Sequence, residues 1–117
     1  MGSTDHPAIL KRLTERMGAL AGDSPGTMGA FMALHEAAIA DGALSRSTKE
    51  LIALAIGITV RCDGCIAYHV HDALAAGATR EEVVETIGVA VMMGGGPSVV
   101  YGAEAHEALR EFESVGV

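Results

Sequence analysis

Residues 49–77 read KELIALAIGITVRCDGCIAYHVHDALAAG, and the two halves of that stretch decide the fold. The first half holds an uncharged apolar run, LIALAIGITV (51–60). At about half of the ~20 apolar residues needed to span a bilayer, it reads as a buried core helix. Arg61 to Gly64 interrupts the pattern, and a second helix starts at Asp63 or Gly64 and runs to Ala76. Gly77 follows as its left-handed cap.

Working outward from this pair, Ser47-x-x-Glu50 is a capping-box spacing that can open the apolar helix, although Ser45 is an equally good cap. Upstream, Ser24–Pro25 opens a helix that runs to about Ala40 and stops at Asp41–Gly42. Before that, HPAILKRLTERMGAL (6–20) has Pro7 at its start and Ile9, Leu10, Leu13 and Met17 on one stripe. Downstream, Thr79-x-x-Glu82 is the clearest capping box, opening REEVVETIGVAVMM (80–93). Gly94 to Gly96 ends that helix and Pro97 starts the last one. No segment alternates with period two for long enough to make a strand. The expectation is an all-α single domain over residues 1–117, with about six helices. Helices three to five form its hydrophobic centre, and the third is buried nearly all round.

Composition narrows the function. Half of the 117 residues are hydrophobic, yet only Phe31, Phe112, Tyr68 and Tyr101 are aromatic. A mean hydropathy of +0.34 is high for so small a soluble protein and predicts apolar faces buried between subunits, as a homo-oligomer. The formal charge of −7, with eight basic residues spread along the chain, argues against nucleic acid and against an anionic membrane surface. MGSTDHPAILKRL (1–13) has no cleavage-site pattern and no Ser or Thr at position 6, so a reducing cytoplasm is the expected location. In that compartment a close cysteine pair is more often catalytic or metal-binding than a permanent staple.

Chemistry concentrates at residues 62–71. Cys62, Cys65 and His69 fall at i, i+3 and i+7, one face of a helix, and His71 is rotated away. Both sulfurs of a Cys-x-x-Cys at a helix start are within bridging reach. The unpaired N–H groups and positive dipole end of that start favour a thiolate. An imidazole one turn on can take the thiol proton. Gly64 leaves the backbone free and lets a bulky partner approach. A redox dithiol explains every residue in the group. A metal reading uses Cys62, Cys65 and His69 with His35, His71 or His106 as a fourth ligand, but no second segment offers a paired ligand spacing. Inert packing of free cysteines is the third option. Glu50 is either a capping carboxylate at an exposed helix start or a buried acid that orients His69. Tyr68 can line the site. His35 reads as structural or half-exposed and His106 as solvated. VMMGGGPSVVYGAEA (91–105) lacks the ending and preceding strand of a phosphate loop, and no cofactor is expected.

Glu50, then Cys62-x-x-Cys65, then His69 resembles the signature of the carboxymuconolactone decarboxylase superfamily. It is similar, more narrowly, to the alkyl hydroperoxide reductase D (AhpD)-like branch, across about residues 30–110. The resemblance implies an all-helical fold assembled as a homotrimer or homohexamer. It implies a thiol-dependent peroxidase in which Cys65 attacks a hydroperoxide, Cys62 resolves the product to a disulfide, and His69 with Glu50 relays protons. In the best-known branch a lipoyl protein reduces the disulfide and a peroxiredoxin receives the electrons. A thioredoxin-like protein or a small dithiol are other donors of the same chemistry. Two differences stand out: the peroxidase branch has a histidine where this chain has Gly64, and its best-known member repeats the helical unit. The lactone decarboxylases of the superfamily lack the cysteine pair.

Overall fold

Helix starts follow the capping chemistry of the chain. In the computed structural model, which describes residues 5–117, four helices have a side-chain cap at their first turn. Asp5 accepts from the Ala8 N–H at the start of α1 (His6–Asp23), and Ser45 from Thr48 at the start of α3 (Arg46–Thr59). Cys62 accepts from Cys65 at the start of α4 (Asp63–Ala75). Thr79 forms a full capping box with Glu82 at the start of α5 (Arg80–Gly94). The remaining two, α2 (Pro25–Ile39) and α6 (Gly96–Val115), begin with proline in the first turn, where the missing N–H has no partner to lose. The expectation concerning residues 1–4 lies outside the described residues.

All described secondary structure is helical, as the periodicity predicts. Two turns do the positioning. At the end of α4, the Ala78 N–H reaches Ala73 O and the Gly77 N–H reaches Leu74 O. That is a Schellman closure, with Gly77 at φ +100°. The same closure ends α3, where Cys62 N–H bonds Gly57 O and Arg61 N–H bonds Ile58 O. Here the left-handed position is held by Arg61 at φ +60°, a conformation that costs a residue with a Cβ roughly 1–2 kcal/mol.

The core joins Leu54 and Ile58 of α3 to Ile66 and Val70 of α4, Val83 and Ala90 of α5, and Ala105, Leu109 and Phe112 of α6. Each large side chain among them contributes about 1.5–3 kcal/mol by leaving water. The expected centre of helices three to five therefore extends to α6. Close approach depends on small residues: a Cβ at Gly102 would sit 3.0 Å from Ile87 Cγ2, and one at Gly94 would overlap Ser98. The hairpin of α1 and α2 packs on this unit chiefly through α1, which meets α4 and α6. His6 is fully buried and pins the start of α1 to α6. Its Nδ1 lies 2.6 Å from Glu111 Oε1, and its backbone N–H donates to the same oxygen at 2.9 Å.

One expectation fails in an informative way. The third helix is not buried nearly all round: Ile52, Ile56 and Val60 are 46%, 58% and 61% exposed. They fall at i, i+4 and i+8, opposite the buried stripe of Glu50, Leu54, Gly57 and Ile58. The helix is apolar on two faces, but a single chain covers only one. Val89, Met92 and Met93 on α5 are also exposed. No helix among the described residues is long and apolar enough to cross a membrane.

Candidate redox site

The turn between α3 and α4 brings the chemistry together. Cys62, in extended backbone (φ −114°, ψ 101°), caps α4. It is joined to Cys65 by a disulfide across the first helical turn, with Cα atoms 5.2 Å apart, inside the ordinary bridging range. Cys62 Sγ also accepts from the Cys65 N–H at 3.2 Å. The Cys62 sulfur therefore takes up a first-turn N–H at the positive end of a helix, an arrangement that stabilises negative charge on sulfur.

Beneath the pair lies Gly57, whose absent side chain is a requirement. A Cβ there would meet Cys65 Cβ at 3.1 Å. The backbone of α3 thus runs close under the sulfurs. Two turns earlier on the same face is Glu50, fully buried, with Oε1 2.7 Å from His69 Nδ1. The capping role open to Glu50 is not taken up, because Ser45 caps the helix and Glu50 points into the protein. With Glu50 ionised, Nδ1 carries the hydrogen and donates it, leaving Nε2 with its lone pair as the free base. The other carboxylate oxygen, Oε2, is buried without a partner. Such a group is costly to keep unless function uses it.

Above the disulfide is a cavity of about 240 Å³, walled by Cys62, Cys65, His69 and Tyr68 on α4. Phe31, Met32 and His35 of α2 with Leu13 and Met17 of α1 close it. It shares Met17, Met32 and Tyr68 with a larger groove between α1 and α2, about 470 Å³, lined also by Met28 and Gly18. Cys62, Cys65, Tyr68 and His69 thus face a wall that is apolar except for His35. Tyr68 packs edge-on to His69, with centroids 5.1 Å apart. Its phenol is held above the ordinary tyrosine pKa first by burial and then by the carboxylates of Asp72, Glu50 and Glu36, so it stays protonated as a hydrogen-bond donor.

Two sequence-based expectations change here. Gly64 does not leave an open approach, because Leu13 Cδ2 would lie 3.3 Å from a Cβ at that position. The first helix, pinned by His6, roofs the Cys-x-x-Cys turn. His35 is not a peripheral histidine. Its side chain is only 17% exposed, it lines the cavity over the sulfurs, and neither ring nitrogen has a hydrogen-bond partner. Its one visible signal in the sequence is to be, with Glu36, an ionisable residue in the otherwise uncharged PGTMGAFMALHEAAI. His71 turns away as expected, bonding Asp72 at 2.9 Å and packing against Phe112, and His106 is exposed.

Beside Cys62, Asp63 stands in the first turn of α4 near Glu104 of α6. Burial, and then the Asp63 charge, raise the Glu104 pKa above its ordinary value, while His6 opposes the shift. Among the described residues no group of three or more His, Cys, Asp or Glu side chains is placed to hold a metal ion.

Comparison with known proteins agrees with this architecture. A crystal structure of an apo carboxymuconolactone decarboxylase family protein from Legionella pneumophila is 45% identical. It superposes with a TM-score of 0.90 over 94% of this chain and 98% of its own. A Thermotoga maritima member of that family, for which an antioxidative role is suggested, is 28% identical with a TM-score of 0.76, covering 92% and 94%. An uncharacterised protein of Cupriavidus necator is 38% identical over 88% of this chain and 91% of its own. The sequence model of the carboxymuconolactone decarboxylase family matches residues 25–108, which contain Glu50, both cysteines and His69. A paired thiol turn over a buried acid and imidazole, carried on a fold shared over 94% of the chain, makes this protein a member of the carboxymuconolactone decarboxylase family, with a site pattern consistent with its AhpD-like branch.

Proposed function

We propose that this protein is a thiol-dependent peroxidase and disulfide reductase that cycles Cys62 and Cys65 between dithiol and disulfide. One observation carries the reading. The Cys62–Cys65 bridge lies in the first turn of α4, on the helix whose His69 is held by a buried carboxylate at 2.7 Å. In the reduced state His69 Nε2 takes the Cys65 proton, and Glu50 stabilises the resulting imidazolium. The Cys65 thiolate attacks a hydroperoxide oxygen; the S–O bond forms, the O–O bond breaks, and alcohol leaves with the transferred proton. The Cys62 thiol then displaces water from the sulfenic acid and closes the bridge. An external dithiol reopens it by exchange, so each cycle turns one hydroperoxide and one dithiol into alcohol, water and disulfide.

The electron donor in this reading is a lipoyl protein, a thioredoxin-like protein or a small dithiol, with a peroxiredoxin as a further partner in the cytoplasm. The apolar cavity supports an organic hydroperoxide as substrate over a strongly hydrated one. The exposed stripe of Ile52, Ile56 and Val60 supports assembly as a homotrimer or homohexamer. The family's name favours one other reading, a lactone decarboxylase using Glu50 and His69 for proton transfer. Turnover of a lactone acid after replacement of both cysteines distinguishes it.

The test is thiol titration before and after stoichiometric cumene hydroperoxide. The reading expects both thiols of each chain to be lost, a dithiol to restore them, and Cys65→Ser to abolish peroxide consumption. A Cys65→Ser protein that consumes peroxide at the wild-type rate refutes it.

A further inference from the structure

The cavity over the sulfurs contains a second imidazole that the cycle described above does not use. His35 arrives from α2, on the opposite wall from α4, and lines the cavity with Cys65 and His69. Both of its ring nitrogens are buried and unpartnered. Glu36 Oε2 lies 3.5 Å from Nδ1 but without hydrogen-bonding geometry, and that carboxylate is mostly exposed. The ring is braced by an edge-on contact with Tyr68, centroids 6.0 Å apart and planes at 87°. Tyr68 also meets His69 edge-on, so this one phenol ring touches an imidazole from each of the two helices that wall the cavity.

A buried donor or acceptor without a partner costs free energy in the resting protein, and native structures contain few of them. Those that persist beside a reactive group are expected to be paired by a ligand. The chemistry at Cys65 supplies that ligand. As the O–O bond breaks, negative charge grows on the departing oxygen inside a pocket with little polar lining. His69 Nδ1 is already committed to Glu50, and its other nitrogen serves the thiol. Tyr68 and the proton that His69 takes from Cys65 both belong to the α4 side; an N–H held by α2 adds a donor from across the cavity, and a preorganised N–H in a water-poor pocket stabilises developing charge well.

We propose that His35 is a catalytic residue of the peroxide step, donating a hydrogen bond from its ring to the departing oxygen of the hydroperoxide while Cys65 attacks the other oxygen. The balance of the step is unchanged. The S–O bond forms, the O–O electron pair goes to the departing oxygen, and that oxygen takes the proton released by the Cys65 thiol. His35 keeps its own proton throughout. The assignment rests on the peroxidase reading, and it adds a residue from a different helix hairpin to the Glu50–His69–Cys65 group. It also predicts which half of the cycle His35 serves. Reopening the disulfide with a dithiol involves no departing oxygen and makes no use of it.

The experiment compares wild type, His35→Leu, His35→Phe and His35→Gln in two separate half-reactions. Reduced protein is mixed rapidly with cumene hydroperoxide and the loss of thiols followed; oxidised protein is mixed with dithiothreitol and their return followed. His35→Leu and His35→Phe are expected to slow the peroxide step about a hundredfold, the lower end of the cost of removing one donor to a developing oxyanion. Reduction by dithiothreitol stays within about twofold of wild type, the margin set for a residue outside that step. His35→Gln keeps an N–H donor and recovers most of the peroxide rate. His35→Phe keeps a ring against Tyr68, so it carries the test if His35→Leu does not fold. Wild-type peroxide rates in the folded variant lacking the donor overturn the assignment, as does an equal slowing of both half-reactions in all three variants. A wild-type protein that loses no thiols to peroxide overturns the peroxidase reading as well, and is told apart by that result.

Discussion

Replacing Glu50 with glutamine separates what the carboxylate does for chemistry from what it costs the fold. Glu50 is fully buried, bonded through Oε1 to His69 at 2.7 Å, and its Oε2 has no partner. Glutamine has nearly the same shape and can still accept from His69 Nδ1 through its carbonyl, but it has no charge to set against the imidazolium that forms when Cys65 loses its proton. A hydrogen bond to a charged partner is worth about 1.5–3 kcal/mol, against about 1 for a neutral one. The difference of roughly 0.5–2 kcal/mol lowers the rate of thiol oxidation by about twofold to thirtyfold. Stability should move the other way or not at all, since an isosteric neutral group avoids the desolvation of a buried ion. The assay pairs the second-order rate of thiol loss in cumene hydroperoxide with the midpoint of urea unfolding. A Glu50→Gln protein that reacts as fast as wild type would refute the relay. One that reacts slowly only because it is much less stable would assign Glu50 to packing.

Two further outcomes follow from other parts of the fold. Ile56 is 58% exposed at the centre of the apolar stripe on α3; if the proposed homo-oligomer forms through that stripe, Ile56→Lys should give monomers in light scattering while helicity by circular dichroism is kept, and an unchanged mass rules that face out as the interface. Burial, and then the Asp63 charge, hold the Glu104 pKa above the ordinary glutamate value of about 4.5. A raised carboxyl pKa favours the folded state only while the group is protonated, so this contribution is present below about pH 4.5 and is lost as pH rises through the folded value. Glu104→Gln is accordingly expected to raise the melting temperature at pH 7 and to lose that advantage by pH 4, and a pH-independent difference would contradict it.

Most of the helix order was legible because capping is local. Thr79 with Glu82, Pro7, Pro25, Pro97 and Gly77 all do in the structure what their chemistry predicts within a few residues of themselves. The common face of Cys62, Cys65 and His69 was legible for the same reason. What escaped the sequence depends on how one helix meets another. Ser45 and Ser47 both had cap-compatible spacing; Ser45 is the cap, and Glu50, which a Ser47 capping box would use, is turned inward to the His69 ring nineteen residues on. The sharpness of the turn into α4 was hidden because its left-handed position carries arginine, where glycine is the usual signal. Leu13 over Gly64 and His35 against Tyr68 are contacts of the first hairpin with the second. No periodicity within either hairpin reports them.

The acid, the glycine, both sulfurs and the imidazole lie on a single uninterrupted piece of chain between Glu50 and His69. A device of that kind is portable in principle. Grafted into another antiparallel helix pair, it would need its own carboxylate, a bare backbone position two turns later, and the same tight reversal ahead of the first sulfur. A transplant of the four-residue thiol motif by itself would leave behind the parts that tell the sulfur when to give up its proton.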